Sequence, residues 1–325
     1  MFNKLILFAL VAFLAVNVFA QEKQKIIFDC DLGGDIDDAF AVALVLTSPE
    51  FEVLGFVMDH GNTPKRAQLA CRLLYECGLE HIPVVVGRHT PGIVGEETEL
   101  AGDSHQFAWA EGFEKVQPIE QPGADFIIEK LNEHPDEIIL FTVGPVPNIH
   151  DVLKKDPAAL KKAKRIVSMF GSFYMGYGVG SPPTAEWNVR GDIQSAKAYI
   201  DAGLNPLLAG LDVTTFVKLD EAFRTRLLYR NSPLTDALCG LYTLWRFESY
   251  ARPNCTMFDA VAVGMVLWPE LFTTKKVHVS VDDRGYTRID ENAEPNCEIG
   301  VTINQGEFFN RLLTRLLKQN FMRHD

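Results

Sequence analysis

Short apolar runs alternate with longer stretches of helical period along the first half of the chain. Residues 25–28, 53–58, 83–86, 137–142 and 165–170 are rich in Val, Ile, Leu, Phe and Met, and runs of that length predict buried strands. Between them, residues 36–46, 64–77, 125–132 and 146–154 carry apolar positions at helical spacing. A strand followed by a helix, repeated, predicts βαβ units in an α/β fold, with a mostly parallel open sheet and helices on both faces. The second half reads as more helical, over 193–202, 221–229, 234–250 and 257–267. Late strands at 277–281, 286–289 and 298–303 precede a closing helix over 306–317. No Pro/Ser-rich linker, repeat or low-complexity tract interrupts the chain, so one domain is expected over 21–325.

The first twenty residues break this pattern. Lys4 is followed by an almost wholly apolar stretch, and Val18-Phe19-Ala20 stands before the polar run Gln21-Glu22-Lys23-Gln24. A basic start, an apolar centre and small residues at a cleavage point are the marks of a secretory signal peptide. At about 15 apolar residues, the stretch falls short of the roughly 20 that a membrane span needs. Export to a periplasm or the medium, with cleavage after Ala20, is the expectation. The released chain would then have no membrane partner.

Composition narrows the function classes. The 325 residues include 31 Lys+Arg and 43 Asp+Glu, for a net charge of −12, and are 47% hydrophobic. That balance belongs to a globular chain. Without a basic cluster it excludes nucleic acid as a partner, because neutralising phosphates takes Lys and Arg. Six Cys lack any CxxC spacing and lie mostly in apolar runs, so buried free thiols are expected. Asn254-Cys255-Thr256 is a glycosylation sequon, which matters only in a eukaryotic source.

The densest acid lies in Phe28-Asp29-Cys30-Asp31-Leu32-Gly33-Gly34-Asp35-Ile36-Asp37-Asp38-Ala39, where five of ten residues from 29 to 38 are Asp. The run leaves a buried strand and enters a helix, at the sheet edge where open α/β folds hold ligands. Carboxylates this close repel, so either they bind protons or a cation neutralises them. Hard divalent ions favour such oxygen sets, which points to Ca²⁺ or Mg²⁺. A solvated acidic loop with helix caps is the bland alternative, and the number of acids disfavours it. An EF-hand fails because its twelfth position is Phe40; a haloacid-dehalogenase-type phosphatase, whose pattern would put Thr or Val at Gly33 and has no use for the Asp37-Asp38 pair, stays a distant third reading.

Asp29-Cys30-Asp31-Leu32-Gly33 with Asp37-Asp38-Ala39 resembles the N-terminal signature of the inosine–uridine nucleoside hydrolases, with Asp35-Ile36 as a two-residue insertion. Gly61-Asn62, Val143-Gly144-Pro145 with Asn148, Ala185-Glu186-Trp187-Asn188 and Asp259-Ala260 continue the resemblance in order. It implies a nucleoside hydrolase-like fold that binds one Ca²⁺ and hydrolyses the N-glycosidic bond of ribonucleosides to ribose and free base. By the same resemblance, Asp31, Asp38, Asp259 and the Val143 carbonyl would hold the ion. Asp31 would also be the general base for a metal-activated water. Asp37, Asn62, Glu186, Asn188 and Asp259 would hold the ribose hydroxyls. Family members often form dimers or tetramers, so a homo-oligomer is also implied.

Two departures bear on the chemistry. Phe258 stands where many relatives carry a His that protonates the leaving base, and Gly180 replaces an Asn six residues before Glu186. His105 is then a candidate acid. Alternatively Trp187, Phe258, Tyr174, Tyr177 and Trp245 could stack on the base, which would favour purines. Local alternatives also exist: Asn62 and Asp259 suit helix caps, and Glu186 and Asn188 suit an ordinary loop. The Gly-rich segment over 171–183 matches neither a P-loop nor a dinucleotide fingerprint and reads as a flap near the ribose. Without a leaving-group acid, a non-catalytic Ca²⁺-dependent nucleoside or sugar binder is the competing reading. A hydrolase of another ribosyl-like substrate is also open.

Overall fold

The computed structural model describes residues 22–96, 104–249 and 254–322; the expected leader over 1–20 lies outside them. The chain runs β1 (Gln24–Cys30), α1 (Asp37–Leu46), β2 (Phe51–Met58), α2 (Thr63–Glu76), β3 (Val84–Val86), α3 (Gly123–Glu133), β4 (Ile139–Thr142), α4 (Pro147–Lys155) and β5 (Arg165–Met169). It continues through α5 (Trp187–Gly191), α6 (Ile193–Asp201), β6 (Leu207–Ala209), α7 (Leu211–Thr214), α8 (Glu221–Arg230), α9 (Pro233–Glu248) and α10 (Phe258–Leu267). The last elements are β7 (Phe272–Val281), β8 (Thr287–Asp290), β9 (Cys297–Ile303) and α11 (Gln305–Lys318).

The strands form one sheet in the order β3-β2-β1-β4-β5-β6-β9-β7-β8. Pairing is parallel from β3 to β9, and only β7 and β8 join antiparallel at one edge. The expected mostly parallel α/β sheet is therefore what the chain forms. Its central strands are buried on both faces, which is why they read as continuous apolar runs. Phe28 meets Phe56 and Phe141 at ring distances of 5.9 and 5.7 Å on the face covered by α1 and α10. Ile27, Val57 and Leu140 pack on the opposite face with residues of α3, α4 and α6.

Three short elements escape the sequence pattern. β6, α5 and α7 have three to five residues each, too few to show a period. β7 starts at Phe272 rather than at 277, because Thr273 to Lys276 are exposed at the sheet edge and carry no apolar signal. All six Cys are free, five of them buried and Cys239 partly so. Among the described residues no helix is long and apolar enough to cross a membrane.

The strand order places the site. From β1 the chain builds outward through β2 and β3, then returns to add β4, β5 and β6 on the other side. The loops after β1 and β4 therefore diverge to opposite faces of the sheet. A crevice opens between them at the carboxyl ends, which is where open α/β sheets bind ligands.

Candidate active site

Two helix starts deliver the acids to that crevice. Asp37 and Asp38 lie in the first turn of α1, and Asp259 lies in the first turn of α10. α10 is apolar on all sides and buried from Asp259 to Met265, so it must run through the core against α1. The two N-termini meet, and the Asp259 N–H donates to Asp37 Oδ2 at 3.1 Å. The positive ends of both helices favour carboxylates there.

Ligand oxygens of Asp37, Asp38 and Asp259 lie within 4.8 Å of one another, and all three residues are buried. Burial is the largest influence on each, followed by neighbouring carboxylates. Together they push Asp37, Asp38 and Asp259 well above the usual carboxylate range. Asp38 Oδ1 is buried with no hydrogen-bond partner. Three hard-oxygen donors, one of them orphaned, fit a divalent cation of the Ca²⁺ kind.

Asp31 stands at the edge of this group. Its Oδ2 lies 3.6 Å from Arg66 Nη2, and its Oδ1 lies beside Gly144, the residue after Val143. The Val143 carbonyl accepts from Asn188 Nδ2 at 2.7 Å, and the same amide reaches the Met169 carbonyl at 3.0 Å. Asn188 thereby ties the ends of β4 and β5 to α5. Glu186 caps α5, accepting the N–H groups of Asn188 and Val189, and also receives the Gly171 N–H. Burial pushes its carboxyl up to about 7 despite these bonds.

These groups line one cleft of about 550 Å³, together with Tyr177, Trp187, Trp245 and Phe258. Tyr177 meets Phe258 edge to face at 5.9 Å and accepts the Trp187 N–H on its hydroxyl at 2.8 Å. Trp187 remains 45% exposed, which leaves its ring free to meet a ligand. Tyr174 lies elsewhere, against Lys275 and Glu291. The Gly-rich strap is tied down at its start, because Asp212 accepts the N–H groups of Phe173 and Tyr174.

Two further candidates lie outside the cleft lining. Asn62 caps α2, its Oδ1 receiving the Lys65 N–H at 3.4 Å. His105 is exposed and stacks on Phe247 at 6.2 Å, although its neighbour Ser104 reaches the cleft. Conversely, His60 and Arg66 line the cleft without any local sequence signal. Asp59 lies behind them, fully buried beside Asp29 and Gly144, with its carboxyl pushed well up by burial and by Asp29. Only a plain Met58-Asp59-His60 step marks these residues in the sequence.

The family model for inosine-uridine preferring nucleoside hydrolases matches residues 26–310. The chain belongs to that family. Its members are hydrolases that act on N-glycosyl bonds. A probable uridine nucleosidase of Oryza sativa subsp. japonica is 30% identical over 81% of this chain and 80% of its own length. A pyrimidine-specific ribonucleoside hydrolase of Citrobacter koseri is 29% identical over 90% of this chain and 97% of its own. Among solved structures, a plant nucleoside hydrolase superposes with a TM-score of 0.80 at 27% identity, covering 92% of this chain and 100% of that one. In this nucleoside hydrolase the family signature thus coincides with the acid cluster at the switch point, despite the insertion of Asp35 and Ile36. Gln106 Nε2 holds that insertion by donating to the carbonyls of Gly34 and Asp35 at 2.9 and 3.2 Å.

Proposed function

We propose that this chain hydrolyses the N-glycosidic bond of ribonucleosides in a Ca²⁺-dependent reaction, with Asp31 as general base. The observation that carries the reading is the meeting of Asp37, Asp38 and Asp259 at one end of a cleft whose walls also bear Glu186, Asn188 and aromatic rings. Asp38, Asp259 and the Val143 carbonyl, with Asp31 at the border, supply the oxygens for the ion. Bound there, Ca²⁺ would supply Lewis acidity toward the attacking water.

Asp31 takes a proton from the attacking water as its oxygen bonds to C1′. The C1′–N bond breaks and its electron pair leaves with the base. Asp37 and Glu186, which line the cleft, would stabilise the positive charge that grows on the ribosyl group, and charge opposed in a dry cleft is worth more than in water. Phe258 donates no proton, and His105 sits on Phe247. The base is therefore received by Tyr177, Trp187 and Phe258 and takes its proton from solvent. Relatives named for uridine or pyrimidine substrates support uridine as the first substrate to try. The aromatic wall would serve a purine as well, so inosine is the second.

The test is release of free ribose from uridine and inosine by the full chain. Turnover should vanish with chelator and return with Ca²⁺. Asp31→Asn should lower kcat by about a thousandfold, equivalent to about 4 kcal/mol of barrier. Substrate binding without ribose release would overturn the hydrolase reading in favour of a binder. The faster of the two substrates decides base preference. We further infer export with loss of residues 1–20, so the mature protein should begin at Gln21 by mass spectrometry.

A further inference from the structure

One cation stands among these acids, and the proposed reaction leaves it unused. Arg66 lies in the first turn of α2, is 7% exposed and is the one Lys or Arg lining the cleft among the described residues. Its Nε donates to the His60 carbonyl at 2.8 Å. Nη1 donates to the Leu32 carbonyl at 2.9 Å and to the Asp31 carbonyl, while Nη2 faces Asp31 Oδ2 at 3.6 Å. The ring of Phe107 lies 5.9 Å from the guanidinium carbon. One planar fork thus joins the acid loop after β1 to the segment after β2. In that segment His60 holds a left-handed φ of 51°, a conformation that a non-glycine residue keeps only when its surroundings fix it.

The fork also orients the Asp31 carboxylate. Oδ2 faces the guanidinium as an ion pair at 3.6 Å, while Oδ1 points toward Gly144 and the end of β4. The carboxylates of Asp37, Asp38 and Asp259 cluster without Asp31, which borders them and faces Arg66. A fixed positive charge in the same cleft opposes any second cation there.

We propose that Arg66 is a positioning residue with two linked effects. It fixes the rotamer of Asp31 for water activation, and it restrains the cation affinity of the acid cluster. The inference rests on the function proposed above. It predicts opposite shifts in two measurements, which a merely structural role does not produce. In Arg66→Met the chelator-treated full chain should bind Ca²⁺ about tenfold more tightly by calorimetry, because one positive charge is gone. Its kcat for the better of uridine and inosine should fall at least about thirtyfold, because Asp31 is free to turn. Arg66→Lys keeps the charge and loses the fork, so its Ca²⁺ Kd should stay within about threefold while kcat still falls about tenfold.

Weaker Ca²⁺ binding in Arg66→Met, or a kcat within threefold of the parent, overturns the inference. If Arg66→Met does not fold, Arg66→Lys decides alone, and a kcat within threefold of the parent again overturns it. A parent chain that binds no Ca²⁺ or releases no ribose overturns the proposed function itself. An active, Ca²⁺-binding parent whose Arg66 variants fail to diverge overturns only this inference.

Discussion

Phe258 and Glu186 show how single residues divide the work of the cleft. Phe258 lacks a proton to give, but its ring meets Tyr177 at 5.9 Å and faces the same space as Trp187. If the base stacks there, Phe258→Ala should raise KM for uridine and inosine about tenfold, in line with about 1–3 kcal/mol per stacked base. Ca²⁺ affinity should be unchanged, since Phe258 offers the ion no oxygen. Steady-state kinetics beside a Ca²⁺ titration checks this, and an unchanged KM would place the base elsewhere. Glu186 has a different task. Three N–H groups fix its carboxyl at the start of α5, so once ionised it presents a stationary charge to whatever develops beside it.

At the scale of elements, the turn after β4 carries the tightest constraint. A Cβ added to Gly144 would stand 2.4 Å from Asp59 Oδ1 and 2.9 Å from Asp31 Oδ1. Gly144→Ala must therefore displace one or both buried carboxylates. A kcat loss of at least about tenfold is expected, with destabilisation of about 1–3 kcal/mol from overpacking. Wild-type kcat in this variant would mean that Asp31 does not need its present orientation. Elements of this length were legible in the sequence where burial made them uniform: β1, α1 and α10 announce themselves as apolar runs ending or beginning in Asp. β6, α5 and α7 were not, because three to five residues carry no period. Arg66 was invisible for another reason. Its contacts reach back 34 and 35 residues, to Leu32 and Asp31, and nothing adjacent in sequence marks that pairing. Asn62 illustrates the reverse, since its local capping bond to Lys65 engages the side chain that the family resemblance assigns to ribose.

Across the whole molecule, the acid excess behind the net charge of −12 gathers partly in buried sites, and this couples folding to pH. Burial raises Glu186 from its usual 4.5 to about 7 and Asp29 from 3.8 to about 6, and burial and neighbouring carboxylates hold Asp37, Asp38 and Asp259 well above the usual carboxylate range. Between about pH 4.5 and 7 the folded chain therefore holds protons on Glu186 that the unfolded chain has released. Stability falls wherever the native state binds the extra protons and pH rises, so the metal-free protein should lose stability across that window. For Glu186 the shift corresponds to about 3 kcal/mol at full ionisation. A bound cation reverses the preference by favouring the charged carboxylates. Its stabilisation should therefore grow with pH. Thermal melts of chelator-treated protein should give a Tm several degrees higher at pH 5 than at pH 8, and 1 mM Ca²⁺ should raise Tm more at pH 8. Glu186→Gln should flatten the metal-free profile between pH 5 and 7 while leaving the Ca²⁺ response at pH 8 in place. An equal Ca²⁺ shift at both pH values would show that the buried acids are not what the ion neutralises.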